Sequence, residues 1–355
     1  MGKVDPYEVS GDIDYDKLIK QFGVSKITPA LLKKLGTDNL MIRRGGIYAH
    51  RDLNKILKGE FAIVSGRGPS SKMHLGHLAM YKIVSDIQKQ TGCFVFIPFS
   101  DDEKLLVKGE DYDSVRNASV ENAKDILALG FDPKKTKIVF DLAHMNQDIY
   151  NLAIRASSKI NISTVKAVMG FKDSKNIGSF FYPAMQAAHI LYPTFKYGVP
   201  SLVLIGVDQD PFVRMTRDIA GKLNLKKPGD LISKFLPGLS GSGKMSSSDE
   251  RSAIYTTDSP KDVEAKFKRA FSGGRETLEE HRKYGGNPDI DASYLYLKYL
   301  FEVDDKKLKQ IYTDYKSGKM LTGELKKYAI SKANKFLENH QSARKKIKIE
   351  DYLIW

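Results

Sequence analysis

The feature that most constrains this chain is an alternation that begins near residue 61. Short, continuously apolar runs at Phe61–Val64, Cys93–Phe99, Lys137–Phe140 and Ser201–Val207 read as strands buried on both faces. Between them lie helical patterns. Leu78, Tyr81, Val84 and Ile87 share one face and stop at Gly92; Ala123, Ile126 and Leu127 stop at Gly130. Asp210-Pro211 reads as the start of another helix, Asp as cap and Pro at the first position. Strands alternating with helices imply parallel βαβ units, an α/β fold with a Rossmann-like, doubly wound sheet. Its ligands belong at the carboxyl edge of the strands.

On either side the pattern differs. Residues 1–50 are polar and irregular, an N-terminal extension with a turn at Arg43–Gly46 before a short segment around Ile47-Tyr48-Ala49. After about 255 the strand signal fades. Ser259-Pro260 caps a helix with Val263, Phe267 and Phe271 inward, and Thr322 caps another with Leu325, Tyr328, Ala329, Phe336 and Leu337 on one side. The expected division is 1–50, a Rossmann-like domain at 51–254 with an inserted helical region near 100–200, and an all-α domain at 255–355.

The formal charge of +14 points to a polyanionic partner, nucleic acid first. The single cysteine, Cys93, excludes an internal disulfide framework and argues against a Cys-based metal site, which fits a reducing compartment. The opening residues lack the apolar core of a signal peptide, and no apolar stretch nears the roughly 20 residues that span a bilayer. A cytoplasmic setting is expected.

Two segments carry chemistry. The first, Gly66-Arg67-Gly68-Pro69-Ser70-Ser71-Lys72-Met73-His74-Leu75-Gly76-His77, joins the first buried strand to its helix. Its glycines let backbone approach a ligand, and a helix start offers free N–H groups to phosphate. His74 and His77 point to the same side of the first turn, with Gly76 leaving room for a flat base. The second, Gly241-Ser242-Gly243-Lys244-Met245-Ser246-Ser247-Ser248, sets one lysine and three hydroxyls among small residues, which suits a loop over a polyphosphate. Alone it would read as a linker.

Together, His74-Leu75-Gly76-His77 and Lys244-Met245-Ser246-Ser247-Ser248 resemble the two signature motifs of class I aminoacyl-tRNA synthetases. Asp101–Lys104, Pro183–Ala188, Asp208–Pro211, Arg214–Asp218, Phe271–Arg275, Gly285–Asp289 and Ser317–Glu324 look like the tryptophanyl family of the archaeal and eukaryotic branch. That resemblance runs to about residue 340. It implies ligation of tryptophan to tRNA with ATP, Mg2+ carried on the ATP phosphates, no resident metal, and a homodimer. By position it implies ATP contacts from Arg67, Lys104, Gly66, Gly68, Ser70, His74, Gly76, His77, Lys244, Met245, Ser246 and Ser247. Glu103, Gln186, Gln209 and Tyr182 would meet tryptophan, and Arg275 an anticodon-facing position. Without the likeness, Glu103 and Lys104 would read as a surface pair and Gln186 and Gln209 as helix-start residues.

One departure stands out. The eukaryotic-type pattern flanks the indole nitrogen with Tyr and Gln; here Val64 and Pro98 occupy those places and accept nothing through their side chains. Tyrosine is the nearest rival substrate, but the archaeal tyrosyl pattern carries Asp three residues after its Gln, where this chain has His189 after Gln186. Two further protein classes share parts of the pattern. Against a small-molecule adenylyltransferase stand the Lys-Met-Ser loop and the basic helical region; against a non-catalytic tRNA-binding paralogue stand the intact histidines and loop lysine.

Overall fold

The computed structural model describes residues 23–36, 38–69, 72–172, 174–241, 245 and 253–354, with Lys3–Val4, Val9–Ser10 and Ile19. The four apolar runs all become strands: β3 (Ala62–Val64), β4 (Phe94–Phe99), β5 (Thr136–Phe140) and β6 (Ser201–Gly206). Apart from a separate antiparallel pair, Lys3–Val4 with Val9–Ser10, the same sheet takes two strands before them, β1 (Ser25–Lys26) and β2 (Ile47–Arg51), and one after, β7 (Gly229–Ser233). The sheet order is β1-β2-β7-β6-β3-β4-β5. From β7 to β5 all pairs are parallel, Val64 lying beside Phe96 on one side and Val203 on the other. The chain winds outward from β3 through β4 and β5, then returns to β6 and β7 on β3's other flank. That reversal opens a crevice between β3 and β6 at their carboxyl ends.

The N-terminal region departs from the expectation of an irregular extension. β1 and β2 extend the sheet antiparallel beyond β7, with Ile47, Tyr48 and Ala49 buried. Ser25–Lys26 carries no apolar residue, and His50 and Arg51 break the apolar run of β2, so tertiary pairing rather than local pattern defines them.

Helices cover both faces. On one, α1 (Leu75–Thr91) and α2 (Tyr112–Leu127) bury Leu78, Ile83 and Ile126 with Ile63, Val95 and Ile97. On the other, α3 (Gln147–Ser157), α4 (Ile177–Tyr197) and α5 (Asp210–Lys222) bury Leu152, Ala188 and Met215 with Val64, Phe96 and Val139. Gly92 closes α1 in the left-handed region, φ 64°, as glycine permits. Only residues 198–200 separate α4 from β6, so α4 runs antiparallel to the strands. Its first turns therefore lie at the sheet's carboxyl edge.

From Pro260 onward the described residues form helices, including α6 (Pro260–Arg269), α7 (Asp305–Lys316) and α8 (Thr322–Arg344). Ser259 caps α6 in a reciprocal box with Asp262. Val263 and Phe267 are buried, but Phe271 is 42% exposed, because α6 ends at Arg269 and its periodicity does not reach 271. Thr322 is the first residue of α8 rather than its cap; its hydroxyl pairs with Tyr315 at 3.1 Å. The C-terminal tail returns to the sheet, the Ile354 N–H donating to Ile138 O at 3.0 Å beside β5.

Residues 253–256 link the halves. Ile254 O accepts from Leu75 N and Thr256 N donates to Met73 O, each at 2.9 Å. Gln341 of α8 donates to Thr256 O at 2.9 Å and Asp258 O at 3.1 Å. Asp125 of α2 collects the Thr256 hydroxyl, His340 and Arg344.

Asp210 is not the cap of α5 either. Gln209 holds that position, and Asp210 turns inward to Arg51 at 2.7 Å and Arg214 at 2.9 Å. Arg51 also holds Asp230 at 2.6 Å. A buried guanidinium between two carboxylates outcompetes a helix-end N–H as partner for Asp210. Burial pushes the Asp230 carboxyl up to about 7, against the pull of Arg51. A carboxyl raised in the native state keeps its proton while the unfolded chain loses its own. Stability contributed by this site should therefore fall as pH rises from about 4 to 7. Asp230→Asn should flatten that part of the pH–stability curve, measured by urea unfolding at pH 5 and pH 7.5; an unchanged slope would exclude Asp230 as its source.

Candidate active site

The exit from β3 is stitched to the exit from β4. Arg67 N donates to Pro98 O at 2.8 Å, and Ser100 N to Arg67 O at 2.9 Å. Tyr81 of α1 donates its hydroxyl to Gly66 O at 2.8 Å, drawing the helix onto the loop. Arg67 Nε donates to Asn122 at 2.9 Å, while its Nη2 is buried with no partner among the described residues. Burial lowers this guanidinium's pKa, opposed by Tyr81, Glu103 and Asp125. An idle, desolvated N–H donor at a glycine loop is a place for an anion.

His74 is the cap of α1. Its Nδ1 accepts from His77 N at 3.3 Å, and the two rings stack at 3.6 Å. A Cβ on Gly76 would stand 3.1 Å from the His74 ring and 3.3 Å from the Met245 methyl, so glycine keeps this floor flat. Met245 is buried against it. Ser70, Lys244, Ser246 and Ser247 lie outside the described residues.

Gly66, Arg67, Gly68, His74, Gly76, His77 and Met245 share one cavity of about 510 Å³ with Glu103, Lys104, Tyr182, Gln186 and Gln209. Residues predicted from widely separated segments thus converge at the crevice between β3 and β6. Glu103 and Lys104 sit where a short helix passes into a π-helical turn, Lys104–Lys108. Burial raises the Glu103 carboxyl, with Lys104 and Lys108 pulling it down. Tyr182 is buried and its phenol is pushed far up by burial and by Glu103 and Asp102. Gln186 Oε1 is buried without a partner among the described residues. Arg275 stands apart, exposed among the C-terminal helices, its Nε donating to Gly285 O at 3.0 Å.

Val64 and Pro98 line the same cavity. So do Ser100, Asp208, His189 and Phe235, to which sequence reasoning assigned no role. His189 is tied at 3.0 Å to Asp141, a residue 48 positions away, so no local pattern could announce it. The cavity joins an anion-receptive, flat-floored end to a second end with a carboxylate, amide acceptors and apolar walls. That set suits a nucleotide meeting an apolar amino acid. Among the described residues no group of three or more His, Cys, Asp or Glu is arranged to hold a metal.

The family profile for class I tRNA synthetases (W and Y) matches residues 56–338. The tryptophan–tRNA ligase of Saccharolobus solfataricus is 44% identical over 97% of this chain and 93% of its own length. That of Pyrococcus horikoshii is 44% identical over 97% and 91%. Among solved structures, tryptophanyl-tRNA synthetase from Giardia lamblia superposes with a TM-score of 0.87 at 36% identity, covering 96% of both chains. The Encephalitozoon cuniculi enzyme bound to tryptophan gives 0.86 at 35%, covering 97% of both.

Proposed function

Since the chain belongs to the class I tRNA synthetases of the tryptophan and tyrosine group, we propose that it joins L-tryptophan to tRNA(Trp), using ATP, by way of tryptophanyl-adenylate. The observation that carries this reading is the single cavity in which the His74–His77 floor faces Glu103, Gln186 and Tyr182. The tryptophan carboxylate attacks the α-phosphorus and pyrophosphate departs. A carboxylate is already ionised at neutral pH, so the step needs no general base. The protein's task is to align the reactants and offset charge on the phosphates, from Arg67, Lys104, Lys244 and the start of α1. Glu103 and Gln186 suit the α-amino group. Cationic and hydroxyl donors at the nucleotide end fit an ATP that brings its own Mg2+, which would neutralise part of the phosphate charge. The terminal ribose hydroxyl of the tRNA then takes the acyl group and AMP leaves.

We read 51–254 as the catalytic part and 255–355 as the part that meets the anticodon, working in the cytoplasm. No described helix is long and apolar enough to cross a membrane. A homodimer is supported by apolar side chains left at the surface, Tyr150 and Ile154 one turn apart on α3 among them. Arg275→Ala should lower aminoacylation kcat/KM by about tenfold or more while adenylate formation is unchanged. Equal loss of both would mark a folding defect instead. The test of the whole reading is ATP–pyrophosphate exchange with each of the twenty amino acids. Exchange confined to tryptophan is expected; exchange driven by tyrosine, or by none, would overturn it.

A further inference from the structure

A tryptophan in this cavity must find an acceptor for its indole N–H, and Val64 and Pro98 supply none. We infer that His189 Nδ1 accepts the indole N–H, kept bare for that purpose by a buried chain running through Asp141 to Asp102. This rests on the tryptophan reading above.

Depth in the fold selects His189 over Gln186. Both line the cavity, three residues apart on one face of α4. Because α4 runs antiparallel to the strands, Gln186 lies nearer the carboxyl edge and His189 about 4.5 Å deeper. The His189 ring meets Phe96 edge-on at 6.3 Å, and Phe96 pairs with Val64. His189 therefore stands at the level of Val64, below the Gly66–Gly68 loop where ATP would lie. An amino acid that points its carboxylate at ATP puts its side chain at that lower level. Gln186 Oε1, closer to the edge, is left for the α-amino group.

The bonds around the imidazole select the tautomer. Nε2 lies 3.0 Å from Asp141 Oδ1, and both side chains are buried. Asp141 Oδ2 is buried and meets no ordinary donor, while the Asp102 carboxyl bonds to Asp141. Burial raises both carboxyls, but the hydrogen bond between them lifts Asp102 and holds Asp141 down, so the proton they share sits on Asp102 as the missing donor and Asp141 keeps the charge. The hydrogen of His189 then belongs on Nε2, pointing at Asp141, and Nδ1 carries a lone pair. Charge bookkeeping agrees. Burial holds the imidazole neutral, its pKa drawn down to about 4 despite Asp102 and Asp101. Burial and the neighbouring Asp141 push Asp102 far above the usual carboxylate range.

The test compares L-tryptophan with β-(3-benzothienyl)-L-alanine, in which sulfur replaces the indole N–H, by ATP–pyrophosphate exchange. In the unaltered enzyme the analogue should have a kcat/KM lower by roughly tenfold to a hundredfold, because Nδ1 is left buried and unpaired. In His189→Phe, tryptophan should fall by a similar factor and the analogue little, closing the ratio to within about threefold at unchanged KM for ATP. A variant that keeps the original ratio overturns the inference. His189→Phe strips Asp141 of a partner, so its fold is checked by thermal melting. A second measurement uses the unaltered protein labelled with 15N-histidine. The Nδ1 resonance should be that of an unprotonated ring nitrogen, shifting with tryptophan and not with the analogue; a protonated Nδ1 overturns the inference. Failure of tryptophan itself to drive exchange would instead defeat the reading of the substrate.

Discussion

Replacing Lys244 by Ala should slow ATP–pyrophosphate exchange by about a hundredfold to a thousandfold, with little change in the KM for tryptophan. Lys244 lies outside the described residues, but its bonded neighbour Met245 does not. Met245 is 5% exposed, lines the cavity, and bears on Gly76 at the nucleotide floor. A lysine next to it in sequence offers a point charge for phosphates whose charge grows as pyrophosphate leaves. Such a contact is made most strongly in the transition state, so its loss appears in kcat rather than in binding of the amino acid. Stopped-flow or exchange assays read this directly. An unchanged rate would remove Lys244 from the reaction.

The second large effect concerns stability. Arg51→Met should cost about 3–5 kcal/mol at pH 8, measured by denaturant unfolding. Arg51 is bonded to both Asp210 and Asp230, whose side chains are fully buried. Removing it leaves Asp210 with Arg214, which is half exposed, and takes from Asp230 its ion pair. Because burial already pushes the Asp230 carboxyl up to about 7, the orphaned carboxyl can take up a proton in mild acid. The penalty should therefore shrink between pH 8 and pH 5. A loss that does not vary with pH would mean that the methionine disturbs packing rather than charge.

What the sequence made legible follows from how local each signal is. Four buried strands and the helices between them announce themselves through uninterrupted apolar runs and a glycine stop, and all four strands appear within two residues of their expected ends. β1 escaped because Ser25–Lys26 carries no apolar residue, and β2 and β7 because His50, Arg51 and Asp230 break their apolar runs. Asp210 and Thr322 looked like caps because cap chemistry is local. Each is instead claimed by a partner from elsewhere in the packing, Arg51 for one and Tyr315 for the other. The candidate site was legible where residues cluster in short motifs, His74–His77 above all. The Asp102–Asp141–His189 chain was not, since three elements must fold before its members meet.

The strip from Ala253 to Thr256 bonds both to Met73 and Leu75 at the start of α1 and to Gln341 of α8. The long terminal helix thus braces the segment that supports the nucleotide floor. A rocking of the helical half, such as a docking polynucleotide could impose, is geared to the nucleotide floor through a handful of hydrogen bonds. A fragment ending near residue 255 would keep each residue that lines the cavity and still lose the brace behind the nucleotide floor.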